Sequence, residues 1–111
     1  MKNRSFFEDV WDVVRLIPPG RVSTYGAIAK YLGTAKSSRM VGWAMNASHR
    51  VGSIPAHRVV NRSGVLTGKH HFQHPEQMAE LLKAEGIEHH KDRIINMQAY
   101  FWDPNTEIPC P

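Results

Sequence analysis

The residues of this chain best suited to chemistry lie between positions 54 and 85. "IPAHRVV", residues 54–60, sets His57 and Arg58 after a Pro-Ala step, and Glu85 stands near the end of the stretch "LLKAEG". A histidine and a carboxylate are the pieces of an acid–base pair, or of a pair that activates a nucleophile. Beside His57 stands Ala56, which has no chemistry of its own. The chain holds seven histidines, among them the pairs His70–His71 and His89–His90 with His74 nearby. These pairs lack carboxylate or cysteine partners at the usual ligand spacing and read as solvated loop residues, so no metal is expected. One cysteine, Cys110, excludes an internal disulfide and a multi-cysteine zinc site. No cofactor is expected either.

The elements that must position these residues read mostly as helices. Ser5 and Glu8 have capping-box spacing, after which Phe7, Val10, Trp11, Val14 and Ile17 recur at helical intervals until "IPPG" stops them. In "RVSTYGAIAKYLG", Ser23 or Thr24 caps a short helix over about 25–32 and Gly33 closes it in the left-handed conformation. After a small polar turn, "SSRMVGWAMNAS" buries Val41, Ala44 and Met45 on one face and leaves Arg39, Trp43 and Asn46 on the other. This is helix, turn, helix. Residues 58–67, "RVVNRSGVLT", read as a small hairpin with Gly64 in its turn, forming a wing beside the helix pair. Pro75 then opens a fourth helix at its first position, with Met78, Leu81 and Leu82 as the buried stripe and Gly86 as its end. "DRIINMQAYFWDP" packs back on the core before an exposed, Pro-rich tail. The fold class expected is mainly α, a winged helix-turn-helix with a small β-hairpin wing, as one domain over residues 1–103 and a tail over 104–111.

Composition agrees with one globular domain: 111 residues, 41% hydrophobic and 22% charged. No apolar run of about 18 residues is long enough to span a bilayer, and "MKNRSFFEDV" lacks an apolar signal core. A soluble intracellular protein without membrane contact is expected. A net charge of +4 suits a polyanion partner and equally an ordinary basic protein. Helix-turn-helix folds serve both nucleic-acid binding and protein interaction. On pattern alone Arg39 is a base-stack or phosphate contact, or a solvated arginine. Tyr25 is a ligand contact or a core residue.

Taken together, "GRVSTYGAIA", the "SSRMVGWAM" helix, the "PxHRVV" loop, the Ser-Gly wing and the "LLxxEG" helix resemble the DNA-binding domain of the O6-alkylguanine-DNA alkyltransferases. The likeness spans roughly residues 5–90, with every motif in the same order. In that family the signature reads Pro-Cys-His-Arg-Val, and the cysteine is the nucleophile, activated by the histidine through a water and oriented by a glutamate. Here Pro55, His57 and Glu85 match and Ala56 takes the place of the cysteine. A methyl group has no lone pair for an alkyl carbon, so the resemblance implies a protein without alkyl-transfer activity. Cys110 does not substitute, because "IPCP" lacks the following His-Arg and lies in the tail.

The resemblance is therefore to the alkyltransferase-like proteins, which keep the DNA-binding domain, lack a further N-terminal domain and carry another residue at the cysteine position. It implies a non-enzymatic, monomeric, cytoplasmic sensor that binds double-stranded DNA containing O6-alkylguanine and flags it for nucleotide excision repair proteins. By the same likeness Tyr25 crowds the phosphate beside the target and helps to turn the nucleotide outward, and Arg39 is the finger that fills the vacated stack. Backbone groups from Ile54 to Val59 surround the flipped base, with Ala56 at the alkyl group and His57 and Glu85 behind it. A plain buried His57–Glu85 pairing remains the alternative. Lys69 stands where a basic residue either senses the altered guanine face or holds a phosphate. Ser48 stands near the place of an asparagine in many alkyltransferases, which puts that hydrogen bond in doubt. Asn46, Arg50 and Trp43 touch the DNA backbone, or Trp43 packs on the neighbouring helix.

Three rivals stand beside this reading. A winged-helix transcription factor would read a fixed sequence with its second helix, but Gly42, Ala44 and Ala47 are small where base-reading side chains are needed. An enzyme cleaving base from sugar through His57 and Glu85 lacks a carboxylate in "IPAHRVV" poised beside the sugar. A protein-interaction module is the third.

Overall fold

The computed structural model describes residues 5–33 and 37–109; Cys110 and the polar turn at 34–36 lie outside them. Helix α1, Phe6–Arg15, begins as its sequence dictates. Ser5 Oγ accepts from the Glu8 N–H at 3.1 Å and Glu8 Oε1 accepts from the Ser5 N–H at 3.1 Å, so two end donors are satisfied reciprocally. Val10, Val13 and Val14 form its buried stripe, and Ile17 stays buried just past its end.

Thr24 resolves the capping choice, accepting from the Ala27 N–H at 3.1 Å at the head of α2, Tyr25–Leu32. Ser23 is instead fully buried in a short strand, β1, Ser23–Thr24, with its hydroxyl unpartnered. Gly33 does not close α2 in the left-handed helical conformation: its φ is +124° with ψ 150°, and the chain leaves extended. The third helix, α3, Ser38–Val51, is capped by Ser37 and buries Val41, Ala44, Met45 and Ser48. Trp11 ties α1 to it, its indole N–H donating to the Ala44 carbonyl at 2.8 Å. A single apolar cluster joins these three helices to Val59 and Trp102.

The β-structure differs from the expected wing. Residues 58–67 do not pair with themselves as a hairpin ladder. Strand β2, Val59–Val60, lies parallel to β1 with Ser23 opposite Val59, while Val65 bridges antiparallel to Arg93. The Asn61–Gly64 turn is present, with Asn61 Oδ1 accepting from the Ser63 and Val65 N–H groups and Gly64 at φ +82°. It separates two segments that go to different partners because both flanking runs are buried against other elements. The small hairpin of this fold is β3, His89–His90, with β4, Arg93–Ile94.

Pro75 lies just before the fourth helix rather than at its first position: α4 runs Gln77–Ala84 with Glu76 as its cap. Met78 and Leu82 are fully buried, but Leu81 is 37% exposed, since a two-turn helix presents only one narrow stripe to the second apolar cluster. Gly86, at φ +86°, ends the helix as expected. Its N–H bonds the Lys83 carbonyl and the Ile87 N–H bonds that of Leu82, the pairing of a Schellman motif.

Residues 104–108 are not an exposed tail. After α5, Met97–Tyr100, Asp103 caps a further turn, α6, Pro104–Glu107, in which Pro104 is buried. Helix α6 packs on α2, where Asn105 Nδ2 donates to the Ala27 carbonyl at 3.0 Å, and Ile108 reaches the main cluster.

Candidate nucleic-acid interface

Helices α2 and α3 bring Tyr25, Arg39, Trp43 and Asn46 to one open cleft of about 420 Å³. Four residues chosen from sequence thus share one wall. The opposite wall is the 67–71 segment, where Thr67, Gly68 and His71 line the same space. Thr67 Oγ1 donates to the Tyr25 hydroxyl at 3.2 Å, and a side chain at position 68 would meet that hydroxyl at 3.4 Å. His71 contributes a wall, rather than a loop position apart from the site.

Arg39 is exposed, and its guanidinium carbon lies 5.7 Å from the centroid of the Trp43 ring one turn along. The contact does not cover Trp43, which remains 52% exposed. Packing between helices thus does not account for Trp43. Asn46 is exposed beside it.

A second group of residues is built in the opposite way. Ala56–Arg58 form a short 3-10 turn that lies against α4 and α3. His57 Nε2 sits 2.6 Å from Glu85 Oε2. Arg58, which sequence reasoning left out, grips the same carboxylate through Nε at 3.1 Å to both oxygens and Nη2 at 2.8 Å to Oε2, and its Nη1 donates to the Ile17 carbonyl at 2.9 Å. The Gly20 N–H adds 2.8 Å to Oε1. The signal for Arg58 was its place beside His57 with one acid available to both.

Burial alone would raise the Glu85 pKa, yet the Arg58 guanidinium, the Gly20 N–H and His57 together hold it down to about 2. Burial pushes His57 below its ordinary value, against the pull of the Glu85 hydrogen bond and charge. The carboxylate is thus a fixed anion at neutral pH, clamping the 56–58 turn to α4 and to the chain after α1.

The remaining expected pocket residues divide. Val59 is buried in β2, Ile54 and Ala56 are half-buried against the main cluster, and Pro55 precedes the 3-10 turn. None of these four lines the 420 Å³ cleft, nor do His57 and Glu85. Ser48 is buried, with Oγ donating to the Met45 carbonyl at 2.5 Å within its own helix. Lys69 follows Gly68 but its Nζ is held 2.6 Å from Asp92 Oδ2.

The chain is similar to known proteins in sequence and in fold. Residues 5–87 match the model of the 6-O-methylguanine DNA methyltransferase DNA-binding domain. Alkyltransferase-like protein 1 of Schizosaccharomyces pombe is 34% identical over 108 residues, covering 94% of this chain and all of that protein. The DNA base-flipping protein of Escherichia coli is 36% identical over 104 residues, covering 92% of this chain and 78% of that one. In three dimensions, S. pombe Atl1 in complex with damaged DNA containing O6-carboxymethylguanine matches with a TM-score of 0.78 at 37% identity, over 94% of this chain and 100% of that chain. Two relatives of nearly full coverage and a structure of the same size agree with the domain model, and the chain belongs to the family of the 6-O-methylguanine DNA methyltransferase DNA-binding domain, on its alkyltransferase-like branch.

Proposed function

We propose that the protein recognises O6-alkylated guanine in duplex DNA, turns the nucleotide out of the stack, and leaves the alkyl group where it is. The observation that carries this reading is Ala56, standing between Pro55 and His57 in a site whose polar support is otherwise complete. Support without a nucleophile suits holding a base and does not suit reacting with it.

Turning a nucleotide out costs a few kcal/mol, less for an alkylated guanine that pairs poorly. Tyr25 at the cleft edge is placed to crowd the backbone at the target. Arg39, tethered among the described residues by its stack on Trp43 alone, leaves that ring for the gap in the base stack. Lys69 joins the contact by exchanging Asp92 for the ligand. A lesion held extrahelical and unrepaired offers a mark to nucleotide excision repair proteins, the downstream partner this reading implies.

Acid–base chemistry is disfavoured by the same geometry. A carboxylate with a pKa of about 2 and four protein donor contacts neither gives nor takes a proton efficiently near neutrality. The test is a pair of duplexes differing only in O6-methylguanine against guanine. The lesion duplex is expected to bind more tightly, and mass analysis afterwards is expected to find unmodified protein and intact lesion. Equal affinity for the two, or transfer of the methyl group to any residue, would overturn the proposal.

A further inference from the structure

The cleft at Tyr25 and Arg39 is the middle of a longer trough. It shares Trp43, Asn46 and His71 with a neighbouring cleft of about 500 Å³ that adds Phe7 and Arg50. Through Tyr25 and Ser38 it continues into another of about 410 Å³ that adds Gly26, Asn61 and Arg62. Arg62 in turn belongs to a last cleft of about 280 Å³ with Thr24, Met97, Gln98 and Phe101. Among the described residues no carboxylate lines any of the four, and every one holds an arginine.

The arginines of the trough differ from the rest. Arg15 is bound to Asp12, Arg21 to the Tyr100 and Phe101 carbonyls, Arg58 to Glu85 and Arg93 to the Ser63 carbonyl. The other three described arginines are Arg39, which only stacks on Trp43, and Arg50 and Arg62, both exposed and without a hydrogen-bond or ion-pair partner among the described residues. Those three are the arginines of the trough. A row of guanidiniums free of protein acceptors, along a path free of acids, matches the charge of a phosphodiester strand.

We propose that the DNA interface continues past the Tyr25–Arg39 cleft to a second subsite, where Arg62 anchors a backbone phosphate and Met97 and Phe101 offer an apolar wall to the adjoining sugar. The subsite rests on the DNA-binding part of the reading above. It extends it to the turn at 61–64 and to the C-terminal segment, neither of which the target nucleotide itself requires. Arg50 and Arg62 mark opposite ends of the trough, so the strand is gripped on both sides of the turned-out nucleotide.

The test uses the full chain, Arg62→Ala, Arg62→Lys and Arg50→Ala, with a long duplex carrying a central O6-methylguanine, its undamaged counterpart, and two lesion duplexes cut back close to the lesion on one side or the other. Arg62→Ala is expected to weaken lesion and undamaged long duplexes by the same factor, about tenfold at low salt. It should also lower the salt slope by about one phosphate contact. Arg62→Lys should retain most of the affinity. Shortening one side should erase the effect of Arg62→Ala and keep that of Arg50→Ala, and shortening the other side should do the reverse. Unchanged affinity and salt slope in Arg62→Ala, or a loss that survives both shortenings, would overturn the subsite. Should the unmodified protein bind lesion and undamaged duplexes equally, the lesion reading falls while the undamaged long duplex still decides the role of Arg62.

Discussion

Around Glu85 the charges of His57 and Arg58 meet a carboxylate or a carbonyl, whereas along the face of α2 and α3 the arginines meet no acid among the described residues. The first group is half-buried, with the side chains of His57, Glu85 and Arg58 only 11% to 15% exposed. Charges taken out of water need partners, and removing one partner leaves the others uncompensated. The second group lies in water, where an unpaired guanidinium costs little and remains available to a polyanion. One region ties separate segments of the chain together and the other is left open to solvent. Ala56 belongs to the first region by position and to neither by chemistry, since its methyl group offers no charge, donor or acceptor.

The sharpest way to separate the two regions is to remove the acid that holds the first together. Glu85→Ala strands Arg58 and His57 and is expected to cost about 3 kcal/mol or more. That corresponds to a fall in Tm on the order of 10 °C by thermal unfolding. At temperatures where the variant is folded, its preference for a lesion duplex over an undamaged one should fall, because the turn that carries Ala56 loses its polar support, while its affinity for undamaged DNA stays close to that of the unmodified protein. The acid limb of stability should change too. Glu85 is depressed from 4.5 to about 2, so its contribution is full above pH 4.5 and is lost as pH falls toward 2. His57 is depressed below 6.5, so the unfolded chain takes up its proton first and stability also declines as pH falls through 6.5. Glu85→Ala should flatten the limb between pH 4.5 and 2. A Tm within a degree or two of the unmodified protein would mean that the network is not the support described.

The reciprocal substitution leaves the fold alone. Arg39→Ala loses one exposed contact with Trp43 and should change stability by no more than about 0.5–1 kcal/mol. Its effect on the lesion duplex should be larger, about 1–3 kcal/mol, the range of a lost stacking partner. Undamaged DNA should be affected less. Equal losses on the two duplexes would make Arg39 a phosphate anchor like the one assigned to Arg62, and the distinction between a finger and its flanking anchors would disappear.

How much of this was legible in the sequence follows the same division. The helices were, because Ser5–Glu8, Thr24, Ser37 and Gly86 carry their boundaries in local hydrogen bonding, and Val41, Ala44 and Met45 carry the buried face in their spacing. The face of α3 that carries Arg39, Trp43 and Asn46 followed from helical spacing, whereas the roles expected of Arg39 and Tyr25 came from the family resemblance, and the cleft that gathers them with the 67–71 segment had no local signal. What failed was partnership at a distance. Val59 and Val60 announce a strand but not that its partner is Ser23–Thr24, thirty-six residues earlier in register. The pattern of 58–67 therefore suggested a local hairpin. Arg58 was overlooked because its two acceptors, Glu85 and the Ile17 carbonyl, lie 27 and 41 residues away. Lys69 was read toward a ligand because nothing local announces Asp92.

The C-terminal segment offers the smallest effect and a test of how the recognition face is held. Asp103 followed by Pro104 is a helix-start signal in the sequence, an N-cap acid with proline at the first position, and α6 forms there. Its one hydrogen bond to the recognition face runs from Asn105 Nδ2 to the Ala27 carbonyl, in the first turn of α2 and two residues from Tyr25. The amide is exposed and also bonds Asp103 Oδ1 at 2.8 Å, so water replaces it readily. Asn105→Ala should cost about 1 kcal/mol, a Tm shift of several degrees at most. Binding should respond only through Tyr25: a slight loss on the lesion duplex, with no change in salt slope, because no phosphate contact is removed. Amide exchange at Ala27 and Ile28, measured with and without DNA, reads the same contact directly. Faster exchange confined to the first turn of α2 would show α6 bracing the flipping residue, whereas uniform exchange across α2 and α3 would assign Asn105 to general stability and separate the C-terminal segment from the recognition face.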